Sequence, residues 1–134
     1  MNKKFLTINS KKIAYVDEGE GDPIVFIHGN PTSSFLWRKI IKDLKENYRC
    51  LAPDLIGMGD SDKLDNPTQE SYSIKTHIEW FDNFMNEIDE NRKLILVIHD
   101  WGSAIGFDFT RKYPEKISGL VYMEGIVCPL NWSD

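Results

Sequence analysis

Apolar residues along the chain change their period several times, and each change marks an element. Phe5 to Ile8 and Ile13 to Val16 cluster or alternate apolar residues around the polar turn Asn9-Ser10-Lys11, which predicts an antiparallel hairpin. An acidic, glycine-rich turn from Asp17 to Pro23 leads to Ile24-Val25-Phe26-Ile27, a continuous apolar run of the kind buried on both faces of a sheet. Phe35, Leu36, Trp37, Ile40, Ile41 and Leu44 then recur at spacings of three and four, with Arg38, Lys39, Lys42 and Asp43 on the opposite side. That stripe predicts a helix capped by Ser33 or Ser34 and ending near Asn47. Cys50-Leu51-Ala52 makes a short strand closed by Pro53-Asp54, and a glycine-rich loop from Asp54 to Lys63 continues as polar surface to Ser71. From Ser73 to Ile88 the positions Ile74, Ile78, Phe81, Met85 and Ile88, joined by Trp80 and Phe84, predict a second amphipathic helix. Leu94 to Ile98 is again a buried strand. The helix after it carries Ala104, Ile105, Phe107 and Phe109 and must stop before Pro114, and Ile117 to Met123 reads as a last strand.

Strands and helices alternate after the opening hairpin, so the expected fold is α/β, a mostly parallel, doubly wound sheet. At 134 residues the chain can bury one real core and is short for two. The net charge of -5, with lysines dispersed among acids, argues against a nucleic-acid partner, because phosphate binding needs clustered cations. The basic start Met1 to Lys4 precedes only a very short apolar stretch, unlike a signal peptide, and no segment approaches the roughly 20 apolar residues of a membrane span. A soluble, cytoplasmic protein is expected. Cys50 and Cys128 form no CxxC pair and read as buried free thiols rather than a disulfide or metal site.

Candidate chemistry concentrates at the end of the strand Leu94 to Ile98. His99-Asp100-Trp101-Gly102-Ser103 turns that strand into a helix, and such a bend is a nucleophile elbow with Asp100 where a hydrolase would place its serine. The elbow aims one side chain at a helix amino end, where free NH groups favour negative charge. Asp100 alone would more often be a helix cap. An elbow enzyme also needs an NH donor from the loop after its third strand, and His28-Gly29-Asn30-Pro31 stands there. Gly29 allows close backbone approach, and Pro31 fixes the turn, with a cis Asn30-Pro31 peptide as one form of it.

HGNP at 28–31, DLIGMGDSDK at 54–63, VIHDWGSAIGF at 97–107 and LVYMEGI at 120–126 together resemble the haloalkane dehalogenases of the α/β-hydrolase fold, over nearly the whole chain. The resemblance implies that Asp100 attacks a carbon bearing halogen to form an alkyl-enzyme ester, which an activated water then hydrolyses. It implies that the Trp101 indole NH and the Asn30 side-chain amide cradle the halide, and that the backbone NH groups of Asn30 and Trp101 form the oxyanion hole. One subgroup carries its histidine-orienting acid where Glu124 stands, whose plainer reading is a solvated strand-end glutamate. The partners so implied are a small halogenated alkane and water, with no cofactor and no metal.

In the family's order the catalytic histidine lies well after this acid, and none of His28, His77 and His99 matches it. The expectation is therefore that residues 1–134 are the amino-terminal part of the α/β-hydrolase core domain, cut after about the sixth strand, and give no turnover alone. His77 is expected on an exposed or half-buried helix face, and the three histidines lack the spacing of a metal site. Gly57 to Asp62 fails the phosphate-loop patterns, and Asp54 and Asp60 read as turn and capping residues. An epoxide hydrolase resembles the same elbow and HGxP loop, though Asn30 favours halide, and dehalogenase-like luciferases stand further off. A noncatalytic fragment is the alternative from another class. Substrate range and oligomeric state are not legible.

Overall fold

The computed structural model describes residues 1–88 and 90–126. The opening hairpin forms as strands β1 (Lys3–Ile8) and β2 (Lys11–Glu18), in antiparallel register with Ile8 opposite Lys11. Its turn is only Asn9-Ser10, both at positive φ (46° and 66°), the geometry that matches the twist of paired strands. Strand β3 (Asp22–Ile27) is followed by a 3-10 turn over Ser34–Trp37 and helix α1 (Arg38–Leu44). Then come β4 (Tyr48–Pro53), α2 (Ile74–Glu87), β5 (Leu94–His99), α3 (Trp101–Lys112) and β6 (Ile117–Met123).

Among the described residues the strands form one six-stranded sheet in the order β1-β2-β4-β3-β5-β6. β4, β3, β5 and β6 run parallel, and β2 joins β4 antiparallel. The continuous apolar runs of β3 and β5 lie at the centre, where both faces are covered: Val25, Phe26, Ile27, Leu96 and Ile98 have no exposed surface. One face packs Ile27, Leu51, Leu96 and Ile98 against Phe81 and Phe84 of α2 and Ile105 and Phe109 of α3. The other packs Val16, Phe26 and Val97 against Trp37 and Ile41.

Two sequence expectations fail here. The predicted helix from Phe35 opens as a 3-10 turn capped by Ser33, and only Trp37 and Ile41 of its apolar stripe are buried, while Phe35, Leu36 and Ile40 are exposed. A seven-residue helix lying on side chains of β2, β3, β4 and β5 covers one narrow line of them, too few to bury a broad stripe. His77 is not half-exposed but buried at 6%, stacked on Tyr72 at 6.2 Å, because the loop before α2 folds back over it. Cys50 is a buried free thiol, whereas Cys128 lies outside the described residues. No described helix is long and apolar enough to cross a membrane.

Candidate active site

Asp100 occupies the junction between β5 and α3 at φ 54°, ψ -127°, a backbone region that L-residues rarely adopt. Its side chain makes no capping hydrogen bond to the helix it precedes. The plainer reading of Asp100 as a helix cap therefore does not describe it. One carboxylate oxygen, Oδ1, instead accepts the backbone NH of Asn30 at 2.9 Å, joining two loops 70 residues apart in sequence. Asp100's own carbonyl is held by Ser103, through its NH at 2.9 Å and its hydroxyl at 2.5 Å.

Glycines permit this closeness. A Cβ on Gly29 would strike the Asp100 carboxylate, and one on Gly102 would strike the carbonyls of Ile27 and His28. Without side chains there, the amino end of α3 lies directly beneath the loop that follows β3, so the helix dipole and the loop NH face the same anion.

The loop after β3 is tightly tied. Gly29 O accepts the Thr32 NH at 3.1 Å and the Thr32 hydroxyl at 2.9 Å, and the Asn30-Pro31 peptide within that turn is cis. His28 has no exposed surface. Its Nε2 accepts the Leu55 backbone NH at 3.0 Å, so Nδ1 carries the proton and donates to Gly29 O at 2.8 Å. Burial holds this imidazole below its usual value, against the weaker opposing pull of Gly29 O and Asp54.

Asp54, just past β4, is wholly buried. Its Oδ1 accepts the Ser34 NH at 2.8 Å, and its Oδ2 accepts the Asp60 NH at 2.8 Å and Lys3 Nζ at 2.6 Å. Lys3 also meets Asp60 at 2.6 Å. Burial pushes the Asp54 carboxyl up, but Lys3 and the two NH donors more than offset it and hold the group below the usual carboxylate range. Sequence reading placed Asp54 and Asp60 as turn and capping residues. Both bind loop NH groups or Lys3, but the burial of Asp54 and its ties to β1 and Ser34 are properties of the assembled sheet.

Trp101 is the first residue of α3, partly exposed beside Asp100. Among the described residues neither its indole NH nor the exposed Asn30 side-chain amide is taken up by a hydrogen bond. Glu124 follows β6 at φ 48°, with its side chain 81% exposed. The β5–β6 register pairs His99 with Met123, which sets the next residue, Glu124, over the end of β5. There its Oε2 lies 3.0 Å from His99 Nε2. Ile126 NH donates to Ser103 Oγ at 2.8 Å, tying this segment to the elbow. Asp100 and Asn30 are thus brought into contact, Trp101 adjoins them, and Glu124 reaches His99, the neighbour of Asp100, rather than Asp100 itself.

Comparison with known proteins bears on the family and the fold. The family described as the alpha/beta hydrolase fold matches residues 22–134. The chain belongs to the α/β-hydrolase fold family. It is 49% identical over 132 residues to a haloalkane dehalogenase of Sphingobium indicum, covering 98% of this chain and 45% of that protein. A haloalkane dehalogenase structure from Bradyrhizobium elkanii superposes with a TM-score of 0.88 at 33% identity, over 98% of this chain and 43% of that one. Similarity extends to a cis-3-alkyl-4-alkyloxetan-2-one decarboxylase of Shewanella oneidensis, 38% identical over 90% of this chain and 38% of that protein. The chain spans less than half the length of these relatives.

Proposed function

We propose that this chain carries the nucleophile and halide site of a haloalkane dehalogenase, within residues 1–134 as the amino-terminal part of an α/β-hydrolase core domain. The observation that carries the reading is the 2.9 Å contact between Asp100 Oδ1 and the Asn30 NH at a strained strand-to-helix bend. A carboxylate with one oxygen anchored keeps the other for attack on saturated carbon. The new carbon–oxygen bond forms as the carbon–halogen bond breaks, and the electron pair leaves with the halide. Charge grows on the halogen during that step, so donors fixed beside it lower the barrier more than they stabilise the ground state. The Trp101 indole NH and the Asn30 side-chain amide are those donors. Neither has an acidic proton to lose, which suits a site that must take anions repeatedly.

Water then attacks the ester carbonyl, and the tetrahedral oxyanion sits on the backbone NH groups of Asn30 and Trp101. This second step needs a base. His28 is committed between Gly29 and Leu55, His77 is buried under Tyr72, and His99 lies on Glu124. The resemblance assigns the base to a histidine downstream of Glu124, with the Glu124 carboxylate orienting it. The substrates are a small halogenated alkane and water, in an aqueous, cytoplasmic setting.

The test is mass spectrometry of the chain after incubation with bromobutane, alongside an epoxide and an alkyl oxetanone. One butyl group on the peptide holding Asp100, one bromide released per chain, and neither product with Asp100→Asn are expected. Adducts from the epoxide or the oxetanone alone would replace this reading with the corresponding rival. Sustained bromide release would show that residues 1–134 supply a base of their own and overturn the downstream assignment.

A further inference from the structure

The loop that presents Asn30 is gripped at both ends by two consecutive residues of another segment. Leu55 NH donates to His28 Nε2 at 3.0 Å at the start of the loop, and the Asp54 carboxylate takes Ser34 NH at 2.8 Å at its end. Residues 54 and 55 directly follow β4, the parallel neighbour of β3, so the grip is anchored in the central sheet. Between the grips, His28 Nδ1 and both donors of Thr32 converge on one acceptor, Gly29 O. The Asn30 NH, next in sequence, is thereby left pointing outward to Asp100.

We propose that His28 and Asp54 are positioning residues of this site: by clamping the loop 28–34 to the end of β4, they hold the Asn30 amide on Asp100. Their importance for halide chemistry rests on the function proposed above, while the clamp itself is a statement about geometry. The clamp works because both groups are dry. A neutral imidazole with no exposed surface has a single lone pair, and the Leu55 NH occupies it, so the ring has one orientation. The Asp54 carboxylate accepts three donors, the Ser34 NH on Oδ1 and the Asp60 NH and Lys3 Nζ on Oδ2, so both of its oxygens are held. A halide donor displaced by an ångström stabilises the leaving group poorly, so a buried support is worth more here than a solvated one.

Amide hydrogen exchange by NMR on the 134-residue chain tests the clamp without any substitution. The NH groups of Asn30, Ser34 and Leu55 are expected to share one opening event and agree in protection within about tenfold. Asn30 exchanging far from the other two would overturn the proposal. In His28→Leu, which keeps the volume and removes both ring contacts, Asn30 NH protection and the rate of butyl transfer from bromobutane to Asp100 should each fall by about 10-fold or more. Amides in the centres of β3 and β5 should keep their protection, which a merely structural loss would not allow. His28→Gln, whose side-chain carbonyl can still accept the Leu55 NH, should recover part of both losses. Asn30 protection and alkylation unchanged in His28→Leu would refute the role. An unreactive parent chain with the shared exchange pattern intact would sink the dehalogenase reading and leave the clamp standing.

Discussion

Two aspartates end parallel strands on either side of β3, and they have opposite fates. Asp54 follows β4, is wholly buried, and has its oxygens filled by two backbone NH groups and a lysine. Asp100 follows β5, is partly exposed, holds one NH on one oxygen, and sits in a strained backbone conformation. A carboxylate saturated by short charge-assisted bonds is a poor nucleophile, because attack must first break them. One held by a single donor is aimed but available. The same residue type at the same kind of strand end is therefore scaffold in one case and candidate chemistry in the other, and the number of donors around it makes the difference.

Removing Asp54 should show the larger effect. Asp54→Ala leaves two NH groups without their acceptor and Lys3 with Asp60 as its remaining partner, a loss of about 3–5 kcal/mol in urea unfolding. A loss below about 1 kcal/mol would mean that water fills the site and that Asp54 is no anchor. Gly29→Ala should follow in size: the new methyl meets the Asp100 carboxylate, which costs about 1–3 kcal/mol and slows alkylation of Asp100 by bromobutane. Alkylation at the parent rate would show that the approach of the two loops is not needed. Asp100→Gly should have the opposite sign from Asp54→Ala. Relief of φ 54°, ψ -127° is expected to raise stability by about 1 kcal/mol while abolishing ester formation. A clear loss of stability would place Asp100 in the same structural class as Asp54 and erase the contrast.

Acid should weaken the scaffold in two stages. His28 and His77 are both held below the usual imidazole value of 6.5, chiefly by burial, so the unfolded chain binds protons that the folded chain refuses. Their contribution is intact above 6.5 and declines as pH falls below it. Asp54, held below the usual 3.8, keeps its contribution down to that value and loses it as pH falls through its lower folded value. The urea midpoint should therefore drop between about pH 7 and pH 5 and drop again in stronger acid. A midpoint flat from about pH 7 to pH 5 would mean that the two histidines are charged without penalty. Smallest of all, Glu124→Gln should change stability by less than about 0.5 kcal/mol, since that side chain is 81% exposed, and should leave the first butyl transfer intact. Slowed butyl transfer would give Glu124 a part in the first step, against the orienting role proposed for it.

Much of this was readable from residue patterns, for reasons that can be named. β3 and β5 are short, uninterrupted apolar runs, and only burial on both faces of a parallel sheet accommodates them. The elbow was legible because Asp100 stands between such a strand and an amphipathic helix with Gly102 close behind, and Asn30 because Gly29 and Pro31 frame it. The stripe Phe35, Leu36 and Ile40 misled because periodicity records which residues could be buried, whereas exposure depends on how much sheet lies beneath a short helix. His77 misled in the other direction, since its cover, Tyr72, comes from a polar loop whose path no local pattern specifies.

By itself the sequence determined the order and kind of the elements and the bend that exposes Asp100, because these follow from local periodicity, capping and glycine placement. Tertiary structure alone decided that Asn30 NH would rest on Asp100, that His28 and Asp54 would clamp the loop between them, and that Glu124 would lie against His99. Those contacts join residues 20 to 70 positions apart, and only the strand order β4-β3-β5-β6 brings them together. Sequence spacing along a chain carries no record of which strand lies beside which; hydrogen bonding across the sheet does.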